Sequence, residues 1–144
     1  RVCMVALTLA AGDTKLAGEG AFALPAGTIL TGEIDLVFRH KGKYFLVDWK
    51  TNLAGGQLAN FAPDRLAAEM HKNQYCFQYL LYLAGFFRFL SARGVTVDRD
   101  FYEQNFGGVY YLFLRGISPS HPGRGIYFDK PDYALLEALI HEIN

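Results

Sequence analysis

The sequence predicts an α/β domain, with a mixed central β-sheet flanked by α-helices. Three observations lead there. Short runs of β-branched and aromatic residues, punctuated by Gly and Pro, fill residues 19 to 50. Apolar residues then recur at helical spacing from Leu66 to Leu90, and the chain closes with one more strand-like run and a second helical segment. Strands, helix, strand, helix in that order describe one sheet with helices packed against it.

The elements follow in order. The apolar stretch Val2 to Leu9 and the Ala- and Gly-rich segment after it receive no assignment. Ala21 to Leu24 reads as extended and stops at Pro25. Gly32 to Arg39 and Tyr44 to Lys50 read as two strands joined through His40-Lys41-Gly42-Lys43. Asn52 to Asn60, with its Gly pair, reads as a loop. Pro63-Asp64 opens helical sequence that runs through Met70, Phe77, Leu81, Ala84 and Phe87 until Gly94, with a break expected near Lys72-Asn73. Tyr75 to Leu90 is apolar on nearly every side, so other elements should cover it. Gly107 to Arg115 reads as a continuous apolar strand and Ile126 to Asp129 as a short extended piece. Pro131 to Ile143 reads as a final helix, with Asp129 or Lys130 near its N-cap and Pro131 in its first turn.

At 144 residues the chain is sized for one domain, and it can bury roughly 70% of its unfolded surface without disulfides or metals. Its 51% hydrophobic content argues against disorder. Fourteen Lys and Arg balance 14 Asp and Glu, so any nucleic-acid contact must come from local charge rather than from a basic domain. Cys3 and Cys76 are far apart and lie in no CxxC or Cys/His cluster, which suggests neither zinc nor a disulfide and makes a cytoplasmic setting the default. No apolar run approaches the ~20 residues of a membrane span. Arg1 as first residue suggests a piece of a larger protein.

The chemistry concentrates in Gly32 to Phe38 and Val47-Asp48-Trp49-Lys50. A two-residue hairpin loop at Lys41-Gly42 would set Asp35 directly across from Asp48, with Glu33 across from Lys50. Opposed like charges destabilise a sheet, so two carboxylates among Ile34, Leu36, Val47 and Trp49 call for a cation. Lys50 shares the Asp48 face by strand alternation. Hard oxygen ligands suit Mg2+ or Mn2+, and an adjacent amine suits hydrolysis of a phosphodiester. The plainer alternative is a surface hairpin with a Glu33–Lys50 cross-strand ion pair. Gln78 and Tyr82, four apart, share a helix face and can aim an amide and a phenol at one point, or can simply be amphipathic core.

Taken together, these residues resemble the PD-(D/E)XK nuclease superfamily, and within it the RecB-type nuclease domain of the bacterial RecBCD exonuclease V. The blocks that carry the resemblance are Glu19-Gly20-Ala21-Phe22 with Leu24-Pro25, Gly32 to Phe38, Gly42 to Asn52, Gln78-Tyr79 with Tyr82, and Phe106 to Gly116. They span about residues 19 to 128 in one order. The resemblance implies a restriction-endonuclease-like core, a single nuclease domain over 1–144 within a helicase-nuclease subunit, and a role in DNA recombination and double-strand-break repair. It implies Asp35, Asp48 and the backbone carbonyl of Trp49 as ligands of Mg2+, with Mn2+ as a substitute, and Lys50 as the catalytic lysine. Glu19 matches an acidic family position, Gln78 and Tyr82 match the family's QxxxY motif, and Arg115 matches a Leu-Arg-Gly end that could contact DNA phosphate. The plain alternative for Arg115 is an ion pair with a carboxylate such as Asp129. Family sites also use a histidine upstream of the catalytic hairpin, whereas no histidine precedes His40 here. His71, His121 and His141 match no ligand spacing.

The expected partners are DNA, RecC-like and RecD-like subunits, and RecA. The absence of GxxxxGK[ST] means that the chain is not itself a motor. The competing function is a non-catalytic docking module for RecA or partner subunits. Intact Asp35, Asp48 and Lys50 count against it.

Overall fold

The computed structural model describes residues 3–8, 14–16, 22–24, 29–52 and 57–142, with side chains over 31–52 and 57–141. Glu19, Ala21 and Pro25 lie outside the described residues, as does part of the expected Asn52 to Asn60 loop.

The architecture is the expected α/β arrangement. Strands β1 (Cys3–Thr8), β2 (Thr14–Leu16), β3 (Phe22–Leu24) and β4 (Ile29–Ile34) form two small antiparallel pairs, β1 with β4 and β2 with β3. The main sheet is built from β5 (Leu36–His40), β6 (Lys43–Lys50), β7 (Phe106–Phe113) and β8 (Ile126–Asp129), in that spatial order. The pairs β5–β6 and β7–β8 are antiparallel, and β6–β7 is parallel. A parallel pair needs a long crossover. It is supplied by α1 (Pro63–Lys72), α2 (Tyr75–Ser91) and α3 (Arg99–Asn105), and α4 (Tyr133–Glu142) ends the chain.

The β5–β6 hairpin turns at Lys41-Gly42, both at positive φ, and its register pairs Leu36 with Val47 and His40 with Lys43. The expected strand Gly32 to Arg39 is instead two strands. The chain bends at Asp35, β4 pairs with β1, and β5 alone stays in the main sheet. The expected pairing of Glu33 with Lys50 is therefore wrong: Glu33 faces Met4 across the β1–β4 ladder, and Lys50 is registered with Phe113 of β7. That β1 strand, Cys3–Thr8, lies within the stretch that received no assignment.

Helix α1 stops at Lys72 and α2 starts at Tyr75, with Gln74 at φ +57, which matches the expected break. Apolar on most sides, α2 is covered as expected: Leu83, Ala84, Phe86 and Phe87 are buried together with Leu46, Val109, Phe113 and Leu136. The short α3 carries no long apolar stripe and received no assignment from the sequence; Asp98 caps it by accepting from the Phe101 N–H at 2.8 Å. Two C-terminal expectations also shift. Strand β7 ends at Phe113, where a 3₁₀ turn carries Arg115, and α4 begins at Tyr133, with Asp132 accepting from the Ala134 N–H at 2.9 Å. Pro131 thus precedes the helix rather than sitting in its first turn.

The two faces of the sheet differ. Leu46, Asp48 and Lys50 alternate onto the α2 face beside Val109, Tyr111 and Phe113. The opposite face carries an aromatic row across the strands: Phe38 stacks on Phe45 at 5.0 Å, Phe45 meets Tyr110, and Tyr110 meets Phe128 at 4.8 Å. Gly108, at φ +143, makes room for that row, because a Cβ there would lie 2.4 Å from the Phe128 ring.

Candidate metal centre

The polar residues collect at the carboxyl ends of the parallel strands β6 and β7, the end at which open α/β sheets generally bind ligands. Asp48 sits near the end of β6 with 5% of its surface exposed and is the buried charged residue of the described core. Burial pushes its carboxyl up, the Lys50 ammonium opposes that, and the Asp35 carboxylate adds to it; the net direction is up. Lys50 Nζ lies 2.6 Å from Asp48 Oδ1 and is the charge partner of that buried oxygen. Burial has cost the carboxylate its hydration, and the ammonium replaces it only in part, since the net direction is still up.

Asp35 occupies the bend between β4 and β5. Its Oδ2 accepts from the Trp49 backbone N–H at 2.8 Å, which ties the bend to the strand that carries Asp48. The two carboxylates are brought to the same place, as expected, although Asp35 lies outside the β5–β6 ladder rather than within it. The Trp49 side chain points away and is 42% exposed.

Helix α2 supplies the other wall. Gln78 Oε1 accepts from Lys50 Nζ at 2.9 Å and from the Tyr111 hydroxyl at 3.0 Å. The ammonium also stands 4.1 Å from the Tyr75 ring centroid and 5.0 Å from that of Tyr111. Tyr82, one turn beyond Gln78, is buried over Gly32, where a Cβ would lie 2.7 Å from its ring. Its hydroxyl is pushed up to about 12 by burial and then by Asp48, Asp35 and Glu33, so it faces the acidic cluster. Gln78 and Tyr82 therefore meet at the site that their spacing suggested. Tyr75 and Tyr111 join them there unanticipated. Tyr75 carried a signal in its helical spacing from Gln78, whereas Tyr111 needed the β6–β7 register, which is not local information.

Arg115 does not pair with Asp129. Its Nε donates to the Thr51 carbonyl at 2.7 Å, directly beyond Lys50, while Asp129 Oδ2 accepts from the Tyr79 hydroxyl at 2.6 Å. Glu19 lies outside the described residues. Among the described residues, no cluster of three or more His, Cys, Asp and Glu side chains gathers to hold a metal, so no histidine joins Asp35 and Asp48 there. The donor set nevertheless suits a hard divalent cation: two carboxylates with mutually unfavourable charge, one of them buried and only partly offset by Lys50. No described helix is long and apolar enough to cross a membrane.

No family model matches the chain. Individual proteins do. It is 44% identical over 115 residues to the RecBCD enzyme subunit RecB of Escherichia coli, covering 80% of this chain and 9% of that protein. The RecBCD enzyme subunit RecB of Haemophilus influenzae is 42% identical over 111 residues, 77% of this chain and 9% of that protein. The protein of the same name from Mycobacterium tuberculosis is 36% identical over 134 residues, covering 87% of this chain and 12% of that protein. The chain thus spans about a tenth of the length of the relatives it matches. Similarity of this extent, running through both carboxylate-bearing strands and the α2 helix, means that the chain belongs to the RecB family, as the counterpart of one segment of those longer proteins.

Proposed function

We propose that the chain is the nuclease domain of a RecB-type subunit, hydrolysing DNA phosphodiesters with Mg2+ or Mn2+. The observation that carries this reading is the Asp48 carboxylate, buried beside the Asp35 carboxylate with the Lys50 ammonium at 2.6 Å offsetting the charge of the pair only in part. Asp35 and Asp48 would hold the cation, with the Trp49 carbonyl as third ligand. The cation would supply Lewis-acid stabilisation of charge developing on the phosphoryl oxygens and would lower the pKa of a coordinated water.

The chain's own residues do the rest. The Trp49 N–H holds Asp35 in place, so the two carboxylates are preorganised rather than gathered on binding. Lys50 neutralises Asp48 until a cation does so and then remains held by Gln78 and the Tyr75 ring, where it can meet a phosphate oxygen or the attacking water. Arg115 keeps its terminal nitrogens for a backbone phosphate while its Nε braces Thr51. Tyr82 presents a neutral hydroxyl to the acidic cluster. The name of the relatives supports RecC-like and RecD-like subunits as neighbours, and with them DNA repair and recombination as the setting; RecA contact belongs to the same reading.

Linear single-stranded DNA tests the proposal. Degradation is expected with Mg2+ or Mn2+, and neither EDTA-treated protein nor Asp48→Ala should cleave. Metal-dependent cleavage by Asp48→Ala at the wild-type rate would overturn it.

A further inference from the structure

The site contains one well-placed group that the mechanism above does not use, the Tyr111 hydroxyl. Tyr111 is 1% exposed and lies beside Asp48 in the β6–β7 register, so its ring is core. Its oxygen is not used for core packing. It reaches Gln78 Oε1 at 3.0 Å, the same oxygen that accepts from Lys50 Nζ at 2.9 Å. An ammonium has donors and no acceptor, so Lys50 fixes which end of the Gln78 amide faces inward. With Oε1 turned toward Lys50, the Tyr111 hydroxyl must donate as well. Two donors from two different strands thus converge on one amide oxygen.

The consequence lies at the other end of the amide. With its oxygen held on two sides, Gln78 keeps both Nε2 hydrogens for an acceptor outside this triad, and none of the described residues accepts from them. We propose that Tyr111 is a positioning residue that locks the Gln78 amide, so that its N–H pair meets a phosphate oxygen of the bound strand. Tyr79, the next residue on α2, shows the contrast: its ring also meets the Tyr111 ring, at 6.0 Å, but its hydroxyl is committed to Asp129 at 2.6 Å. The proposal takes its substrate from the nuclease reading, whereas the amide lock stands apart from that reading.

Tyr111→Phe keeps the ring and removes only the donor. Two readouts decide the matter. In the first, the side-chain 15N–1H signals of Gln78 in the metal-free chain should shift and become more mobile in Tyr111→Phe, while Tyr79→Phe leaves them in place. In the second, kcat on a single-stranded oligonucleotide should fall about 10-fold with Mn2+ affinity unchanged. The double variant Tyr111→Phe/Gln78→Ala should then be no slower than Gln78→Ala alone. Unchanged Gln78 signals, or losses that multiply in the double variant, would overturn the proposal. If the wild-type chain cleaves nothing, the nuclease reading fails and the Gln78 signals still decide whether the lock exists.

Discussion

Asp48 and Asp129 sit on the two strands that flank β7, both on the side facing α2, and the fold treats them in opposite ways. Asp129 receives a short bond from the Tyr79 hydroxyl and holds a helix to a sheet edge. Asp48 is buried more deeply, is pushed toward its neutral form by burial and by the Asp35 charge, and is only partly offset by Lys50 at 2.6 Å. Their α2 neighbours are adjacent in sequence, since Tyr79 serves Asp129 and Gln78 serves the Lys50 beside Asp48. Two consecutive residues of one helix thus serve an acid used for stability and an acid whose charge is only partly offset. Being buried and near an aromatic does not mark a site; a scaffold that buries an acid beside a second acid, with its charge only partly offset, does.

That contrast breaks most visibly in activity. Asp48→Ala should lower metal-dependent DNA cleavage by about 10³-fold or more, as expected when a group stabilising transition-state charge is lost. Asp129→Ala should cleave near the wild-type rate once compared at equal folded fraction. Quantitative nuclease assays on both variants check this.

The next effect is metal-linked stability. Mg2+ at 100 times its dissociation constant should stabilise the wild type and Asp129→Ala by about 2.7 kcal/mol and leave Asp48→Ala unmoved, read as a shift in Tm. Without metal the order reverses. Tyr79→Phe leaves Asp129 without its donor and should cost about 1.5–3 kcal/mol in chemical denaturation, with little change in cleavage.

The smallest effect is a pH dependence with an unusual sign. Because the folded Asp48 carboxyl is raised above its unfolded value, the fold favours its protonated form. Its contribution is present in full below the ordinary carboxylate range and is lost as pH rises through the raised folded value. Metal-free wild type should therefore lose stability relative to Asp48→Asn over that window. Denaturation of both proteins across pH 3 to 7 measures the difference.

Much of the site could be read in the sequence because its key distances are local. A two-residue loop at Lys41-Gly42 sets the β5–β6 register, and alternation then puts Asp48 and Lys50 on one face. Gln78 and Tyr82 needed only the helical repeat. What sequence could not supply were pairings between distant segments. Nothing near Glu33 announces that β4 turns away at Asp35 to join β1, so the expected Glu33–Lys50 pair was an extrapolation of a hairpin beyond its end. Tyr111 looked like one more apolar strand residue, because its neighbour Asp48 is set by a parallel register closed over three helices. For Arg115 the sequence offered a DNA phosphate or a carboxylate such as Asp129; the Thr51 carbonyl, which its Nε meets from the 3₁₀ turn after β7, was not among them.

The central claim is that Asp35 and Asp48 form a divalent cation site, and Mn2+ titration followed by electron paramagnetic resonance tests it most directly. The account predicts a saturable site in the wild type and in Asp129→Ala that is lost in both Asp48→Ala and Asp35→Ala. Equal Mn2+ affinity in the wild type and the two site variants would contradict it.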